Sequence, residues 1–106
     1  MIYELRIYHM YEGRQDAICR RFADHTLDIF ARIGIKVTDF WVDAQNNSRI
    51  YYVCEFEDIT ARDSAWLFMQ ADEEWIHVRA ASEEDGGPIV EKVESFIMTK
   101  APFFKD

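Results

Sequence analysis

Two side chains of this sequence have the chemistry of an acid–base or anion-binding site, His25 and Arg62. Histidine titrates near neutral pH, so His25 is a candidate general base or ligand contact; a histidine packed and hydrogen-bonded in the core is the alternative interpretation. Arg62 opens a predicted helix, where a cation opposes the helix dipole. Either the nearby Glu57, Asp58 and Asp63 compensate this charge, or Arg62 binds a ligand carboxylate.

The other chemistry-bearing residue types lack the spacing that a reaction centre requires. His9, His25 and His77 show no HxxxH spacing and share no carboxylate, so no metal site is predicted. Cys19 and Cys54 have neither a CxxC partner nor a histidine in a motif, so we interpret both as reduced packing residues. A glycine-rich phosphate loop is also lacking. We therefore expect neither a metal nor a cofactor.

Charged residues also occur inside two predicted strands. Glu4 and Arg6 lie two residues apart on one face of the first strand, and Glu55 shares their predicted face in the third. Because an unpaired buried charge is costly, Arg6 is expected to pair with Glu4 or with Glu55. Two interpretations remain open, a structural ion pair that fixes strand register and partner choice, and the polar floor of a ligand cavity.

Length and composition limit the classes of protein that this chain can form. Its 106 residues, 49% apolar and 15% aromatic, predict one globular domain over residues 1–106. The net charge of −8 repels phosphate backbones and anionic lipid, so neither nucleic acid nor a membrane surface is an expected partner. No apolar run has the length of a membrane span or resembles a signal sequence, and we expect a cytoplasmic location.

Apolar periodicity predicts four strands and two helical crossovers. The strands are expected at residues 1–8, 35–42, 50–56 and 90–99. A helix from about residue 14 to 33 carries His25 in its apolar stripe and ends at Gly34. Thr60 and Asp63 resemble a capping box that starts a second helix at Ala61, and Asp72 can cap a further short helix.

The order βαββαβ predicts a ferredoxin-like α+β fold, an antiparallel sheet with strand order 4-1-3-2 and both helices on one face. On the other face, where strand parity also places Glu4, Arg6 and Glu55, six apolar residues are expected: Ile2, Tyr8, Phe40, Val53, Phe96 and Met98. Leaving them in water would forgo several kcal/mol of burial free energy, so a second copy should cover them in a dimeric α/β barrel. Phe103 and Phe104 are expected to reach the partner.

The chain resembles the NIPSNAP family in short segments that cover nearly its whole length. In order, they are Tyr3-Glu4-Leu5-Arg6 with Tyr8, Phe22 with His25, Gly34-Ile35-Lys36, Phe40-Trp41, Glu55-Phe56 with Arg62, and Ala71-Asp72-Glu73-Glu74-Trp75. The resemblance implies the dimeric α/β barrel. It implies no particular reaction, although the same barrel occurs in cofactor-free antibiotic-biosynthesis monooxygenases, haem-degrading enzymes and muconolactone isomerases.

Three functions are compatible with these features. The first is a homodimer of uncharacterised activity that binds a small apolar or aromatic ligand between sheet and helices. Its expected ligand-binding residues are Tyr3, His25, Trp41, Arg62 and Trp75, supported by Arg6 and Glu4. The second is a monooxygenase-like or isomerase-like enzyme that uses the same pocket without a cofactor, with His25 as its candidate catalytic residue. The third is a dimerising interaction module without a ligand site.

Overall fold

Four strands form one antiparallel sheet in the computed structural model, which describes residues 1–105. The strands are β1 (Ile2–Met10), β2 (Lys36–Val42), β3 (Arg49–Phe56) and β4 (Val90–Met98), and the α-helices are α1 (Gln15–Arg21), α2 (Leu27–Ile33), α3 (Ile59–Ala71) and α4 (Glu73–Ser82). The sheet order is β2-β3-β1-β4. The predicted ferredoxin-like topology is therefore confirmed.

Residues of alternate parity in β3 build the core. Ile50, Tyr52, Cys54 and Phe56 are all buried, while the residues between them are half-buried. This alternation is the one that a strand covered on a single face should show. The buried residues of β3 belong to the hydrophobic core beneath the helices. β3 and its neighbour β1 are the two central strands of the sheet.

A π-helical turn, Phe22–Thr26, joins α1 to α2 and changes which residues face the sheet. The Leu27 N–H donates to the Phe22 carbonyl five residues back, so this turn contains one residue more than an α-helical turn. As a result Thr26 is buried, with its hydroxyl donating to the Arg21 carbonyl at 3.2 Å, and His25 is exposed. The prediction that His25 lies in the buried stripe is therefore wrong.

Aspartates cap both helices that follow β3. The Asp58 carboxylate accepts from the Ala61 N–H at 2.8 Å. Helix α3 therefore begins at Ile59, two residues before the predicted start at Ala61, and Asp58 caps it instead of Thr60. The Asp72 carboxylate accepts from the Trp75 N–H at 2.9 Å, as predicted. Asp72 also ends α3 with extended backbone, so α3 and α4 are two separate helices that meet at this residue.

The helix-covered face of the sheet is the one that carries Glu4 and Arg6, opposite to the prediction. Tyr8 and Phe40, expected on the uncovered face, lie against Phe22 with ring centroids 5.8 and 4.9 Å away, and Ile2 packs against the same core. A period of two separates the faces of a strand but does not tell which one the helices cover. The Glu4–Arg6 pair lies under the helices, where Arg62 and Trp66 of α3 donate hydrogen bonds to Glu4.

The uncovered face, here called the open face, has an apolar row at its centre. Val53, Leu5 and Phe96 lie side by side in one row across β3, β1 and β4. Trp41 is 55% exposed and Phe96 48% exposed, and Met98 on the same face is also exposed. The placement of Val53, Phe96 and Met98 on this face is confirmed. Phe103 and Phe104 near the chain end are exposed as well.

Candidate functional site

Glu4, near the start of β1, is fully buried and accepts hydrogen bonds from four side chains. Arg62 on α3 donates two, from Nε to Oε1 and from Nη2 to Oε2, both at 2.9 Å. The indole Nε1–H of Trp66 reaches Oε1 at 2.8 Å, and the Ser95 hydroxyl reaches Oε2 at 2.6 Å. Arg6 completes the set through Nη1 at 3.0 Å. This carboxylate therefore joins β1, β4 and α3.

These donors keep Glu4 ionised. Burial by itself would raise its pKa, but the hydrogen bonds from Arg62, Ser95 and Trp66 and the charge of Arg6 lower the pKa from 4.5 to about 2. A group with this pKa does not exchange a proton near neutral pH. Glu4 is thus a fixed negative charge that positions its donors rather than a candidate general acid or base.

Arg6 carries the polar network from Glu4 toward the tyrosines of the covered face. Its Nε donates to the Tyr52 hydroxyl at 2.9 Å, and the hydroxyls of Tyr52 and Tyr8 lie 2.8 Å apart. The guanidinium carbon of Arg6 also lies 4.2 Å from the ring centroid of Trp66. Burial lowers the pKa of Arg6, but Tyr52, Tyr8 and Glu4 together raise it above its usual range, so Arg6 stays a cation.

A cavity of about 290 Å³ lies beside this network, between the covered face of the sheet and helices α3 and α4. Four aromatic side chains and several charged ones line it. The lining residues are Arg6, Tyr8, Arg21, Thr26, Phe30, Trp66, Met69, Gln70, Trp75, Arg79, Glu83, Pro88, Ile89, Val90, Glu91, Lys92 and Val93. The volume is close to the lower end of the range for small-molecule sites, and the mixture of rings with a few fixed polar groups is typical of them.

Arg21 forms a wall of this cavity and was not among the residues predicted for a site. It is 6% exposed, its guanidinium carbon lies 4.9 Å from the ring centroid of Trp75, and its Nη1 donates to the Ser82 hydroxyl at 3.2 Å. Arg21 follows Ile18 by three residues, so the apolar stripe of α1 already includes its position. That spacing is the signal by which it could have been found.

The five residues predicted to surround one ligand are not together. Trp75 lines the cavity, and Arg62 is engaged by Glu4 and by Asp63 at 3.0 Å. Tyr3 pairs with Glu55 and Met98, and Trp41 pairs with Tyr51; all of these residues lie on the open face. His25 borders an outer groove between α1 and α4, together with His77. A single cleft made from all five residues is therefore wrong, and a catalytic role for His25 stays a prediction.

The predicted polar group at the sheet is confirmed in part. Glu4 and Arg6 pair at 3.0 Å, as the two-residue spacing indicated. Glu55 belongs to the open face, where its carboxylate lies 3.5 Å from Lys36, so the prediction that it shares a face with Glu4 and Arg6 is wrong. The third member of the network is Arg62 rather than Glu55. Helix α3 brings the Arg62 side chain over the buried carboxylate of Glu4, which it pairs with.

Two absences hold for the part of the chain that the structure describes. Within residues 1–105, no three His, Cys, Asp or Glu side chains cluster in a way that could hold a metal ion. The helices of the same residues are too short or too polar to span a bilayer.

Comparison with known proteins identifies the family. The sequence model of the NIPSNAP family matches residues 3–105. The chain belongs to the NIPSNAP family. The resemblance seen in the sequence is thereby confirmed, whereas a search of curated proteins gives no significant match.

Solved structures of NIPSNAP proteins have the same fold as this NIPSNAP chain. An uncharacterised NIPSNAP domain protein from Burkholderia xenovorans has a TM-score of 0.82 at 20% identity, with 100% of both chains covered. A NIPSNAP family protein of unknown function from Agrobacterium tumefaciens also has a TM-score of 0.82, at 22% identity, covering 98% of this chain and 91% of that one. An antibiotic biosynthesis monooxygenase is more distant, with a TM-score of 0.67 at 13% identity and 96% and 100% coverage. At these identities the likeness concerns the fold.

Proposed function

We propose that this NIPSNAP protein is a homodimer that binds a small apolar or aromatic molecule in the cavity of each subunit. The observation that carries the proposal is the cavity of about 290 Å³ lined by the rings of Tyr8, Phe30, Trp66 and Trp75. Such rings give a small molecule a large contact area and favour edge-on or stacked contact with another ring. The volume is close to the lower end of the range for small-molecule sites, which favours a compact ligand.

The polar network beneath the cavity supports binding because it fixes two walls in advance. Glu4 holds Trp66 by its indole N–H, and Arg6 is held at both ends by Glu4 and Tyr52. Side chains that are already immobile lose little conformational entropy when a ligand arrives. The cavity is therefore suited to a ligand of defined shape.

The open face supports the homodimer. Trp41, Phe96 and Met98 are exposed there, beside the half-buried Leu5 and Val53. Burying large apolar side chains contributes about 1.5 to 3 kcal/mol each, so this face is stabilised when another apolar surface covers it. A second copy presents the same face, and two such sheets packed together form a closed, symmetric assembly. The ligand cavities lie on the other side of each sheet and stay accessible.

The two remaining functions lack a specific observation in their favour. An enzyme working through His25 would need that side chain at the cavity, and His25 lies in the outer groove. An interaction module without a ligand site would have the space between sheet and helices filled by its own side chains. Enzymatic activity stays one of the alternatives from the sequence, and a cytoplasmic location stays a prediction.

Binding is tested by isothermal titration calorimetry with compact aromatic compounds, namely indole, phenylacetate and phenylacetamide. We expect heat of binding from at least one of them, with one site per chain. The change Val93→Phe puts a larger side chain on the cavity wall and is expected to weaken this binding about tenfold or more, the loss for a ligand that no longer fits.

The matched control is Val42→Phe. Val42 is likewise an exposed valine in a strand, but it lies at the sheet edge away from the cavity. We expect Val42→Phe to bind as the unchanged protein does. Absence of binding heat for all three compounds would contradict the proposal, and so would equal weakening in both variants.

A further inference from the structure

The cavity contains a buried cation without an ion-pair partner. Arg21 is 94% buried, and no carboxylate of residues 1–105 forms a salt bridge with it. Its buried Nε has no hydrogen-bond partner, and its Nη1 is bound only to the Ser82 hydroxyl. A guanidinium removed from water in this way is costly unless an anion or further acceptors meet it. Burial accordingly lowers the pKa of Arg21 below its usual range.

The other charged groups around the cavity also favour an anion. Arg6 adds a second cation, whose Nε and Nη1 are bound to Tyr52 and Glu4. The carboxylate that acts on the charge of Arg21, Glu83, is paired with Arg79 at 3.3 Å. The cavity is lined by four cationic side chains and two carboxylates: Arg6, Arg21, Arg79, Lys92, Glu83 and Glu91. This local excess of positive charge occurs in a chain whose net charge is −8.

We propose that the molecule bound in this cavity is an aromatic carboxylate, with its carboxylate against Arg21 and its ring among Tyr8, Trp66 and Trp75. The inference rests on the function proposed above and adds the chemical class of the ligand. Such a ligand needs two features that the cavity combines, namely a buried guanidinium with free donors and a set of aromatic rings beside it.

The geometry of Arg21 suits this role. Its contact with the Trp75 ring, 4.9 Å from the guanidinium carbon to the ring centroid, and its bond to Ser82 hold the guanidinium in place, so a carboxylate meets donors that are already positioned. A guanidinium offers paired N–H groups that match the two oxygens of a carboxylate. The ring next to that carboxylate would contact Trp75 as well, so one tryptophan orients both the cation and the aromatic part of the ligand.

The test compares phenylacetate with phenylacetamide, two probes of equal size that differ in charge. Isothermal titration calorimetry on the unchanged protein is expected to show phenylacetate binding about 10- to 100-fold more tightly, the range for charge-assisted hydrogen bonds. Arg21→Gln should abolish this preference by weakening phenylacetate binding to the level of the amide. Arg21→Lys, which keeps the charge but not the paired donors, should restore part of it.

Arg20→Gln is the matched control, because Arg20 is the preceding residue, carries the same charge and is exposed outside the cavity. It should leave the preference unchanged. The inference is overturned if the unchanged protein binds acid and amide equally, or if Arg21→Gln retains the preference. The first comparison needs no variant, so a folding defect of Arg21→Gln leaves the test intact.

The outcomes also separate this inference from the proposed function. Binding of phenylacetamide or indole at the cavity without preference for phenylacetate would overturn the anionic ligand and keep the apolar or aromatic one. Absence of binding by all the probes would overturn both.

Discussion

Replacing Glu4 with glutamine is expected to lower the free energy of unfolding by about 3 to 5 kcal/mol at neutral pH, the usual cost of removing one partner from a buried ion pair. Glutamine keeps the shape of the side chain but removes the charge that Arg62 and Arg6 share. One amide oxygen cannot replace two carboxylate oxygens that accept from Arg62, Arg6, Trp66 and Ser95. Urea unfolding followed by circular dichroism measures the loss.

The effect of Glu4→Gln should depend on pH. The folded-state pKa of Glu4 is about 2, below the 4.5 of an unperturbed glutamate, so the ionised group stabilises the fold. That contribution, on the order of 3 kcal/mol, is fully present above about pH 4.5 and is lost as the pH falls toward 2. The difference in unfolding free energy between the two proteins should therefore shrink over this range.

The control for this experiment is Glu12→Gln. Glu12 is exposed in the turn before α1, where a change of one surface charge usually alters stability by less than about 0.5 kcal/mol. A similar loss in both variants would show that the effect is not specific to the buried network. If the difference in unfolding free energy between Glu4→Gln and the unchanged protein stays constant down to about pH 2, the depressed pKa of Glu4 is contradicted.

Introducing a charge on the open face is expected to dissociate the proposed homodimer. Phe96 lies in the central row with Leu5 and Val53, so Phe96→Lys would bury an ammonium group between the two sheets. We expect the dimer dissociation constant to rise about 100-fold or more, which sedimentation equilibrium measures. The folding of the single chain should change little, because Phe96 is already 48% exposed in it.

Ile97→Lys is a close control for Phe96→Lys. Ile97 is the next residue of β4 and is 46% exposed, but its pairing with Glu4 places it on the opposite face of the sheet. The dimer should tolerate this change. Equal dissociation by both variants, or unchanged association of Phe96→Lys, would exclude the open face as the interface.

The topology could be predicted from the sequence because its signals are local. Alternation in the strands, Gly34 at the end of α2 and Asp72 at the start of α4 each act within a few residues. The Glu4–Arg6 pair was predictable for the same reason, since residues two apart in a strand share a face.

The errors concern features that local patterns do not encode. Alternation in β1 separates two faces, but the helices cover the one with Glu4, because Arg62 and Trp66, about sixty residues away, supply its hydrogen bonds. His25 was misplaced because it lies within a π-helical turn, which changes the residues that face the sheet, and no glycine or proline marks that turn. Both effects depend on tertiary packing rather than on spacing.

The candidate site was predictable only in part because its residues are distant in the sequence. Trp75 was among the predicted ligand-binding residues, whereas Arg21 was not. Its contacts with Trp75 and Ser82 come from α4, which is distant in the sequence, but its position in the apolar stripe of α1 is a local signal. A charged residue at an apolar-stripe position of a helix therefore indicates a candidate site as much as a histidine does.

Native mass spectrometry of the protein isolated from its own cells tests the central claim most directly, because one spectrum reports both the number of chains and any retained small molecule. We predict a species of two 12.6 kDa chains that carries the added mass of a small organic acid. A bare single chain at micromolar concentration would contradict both the covered open face and the occupied cavity.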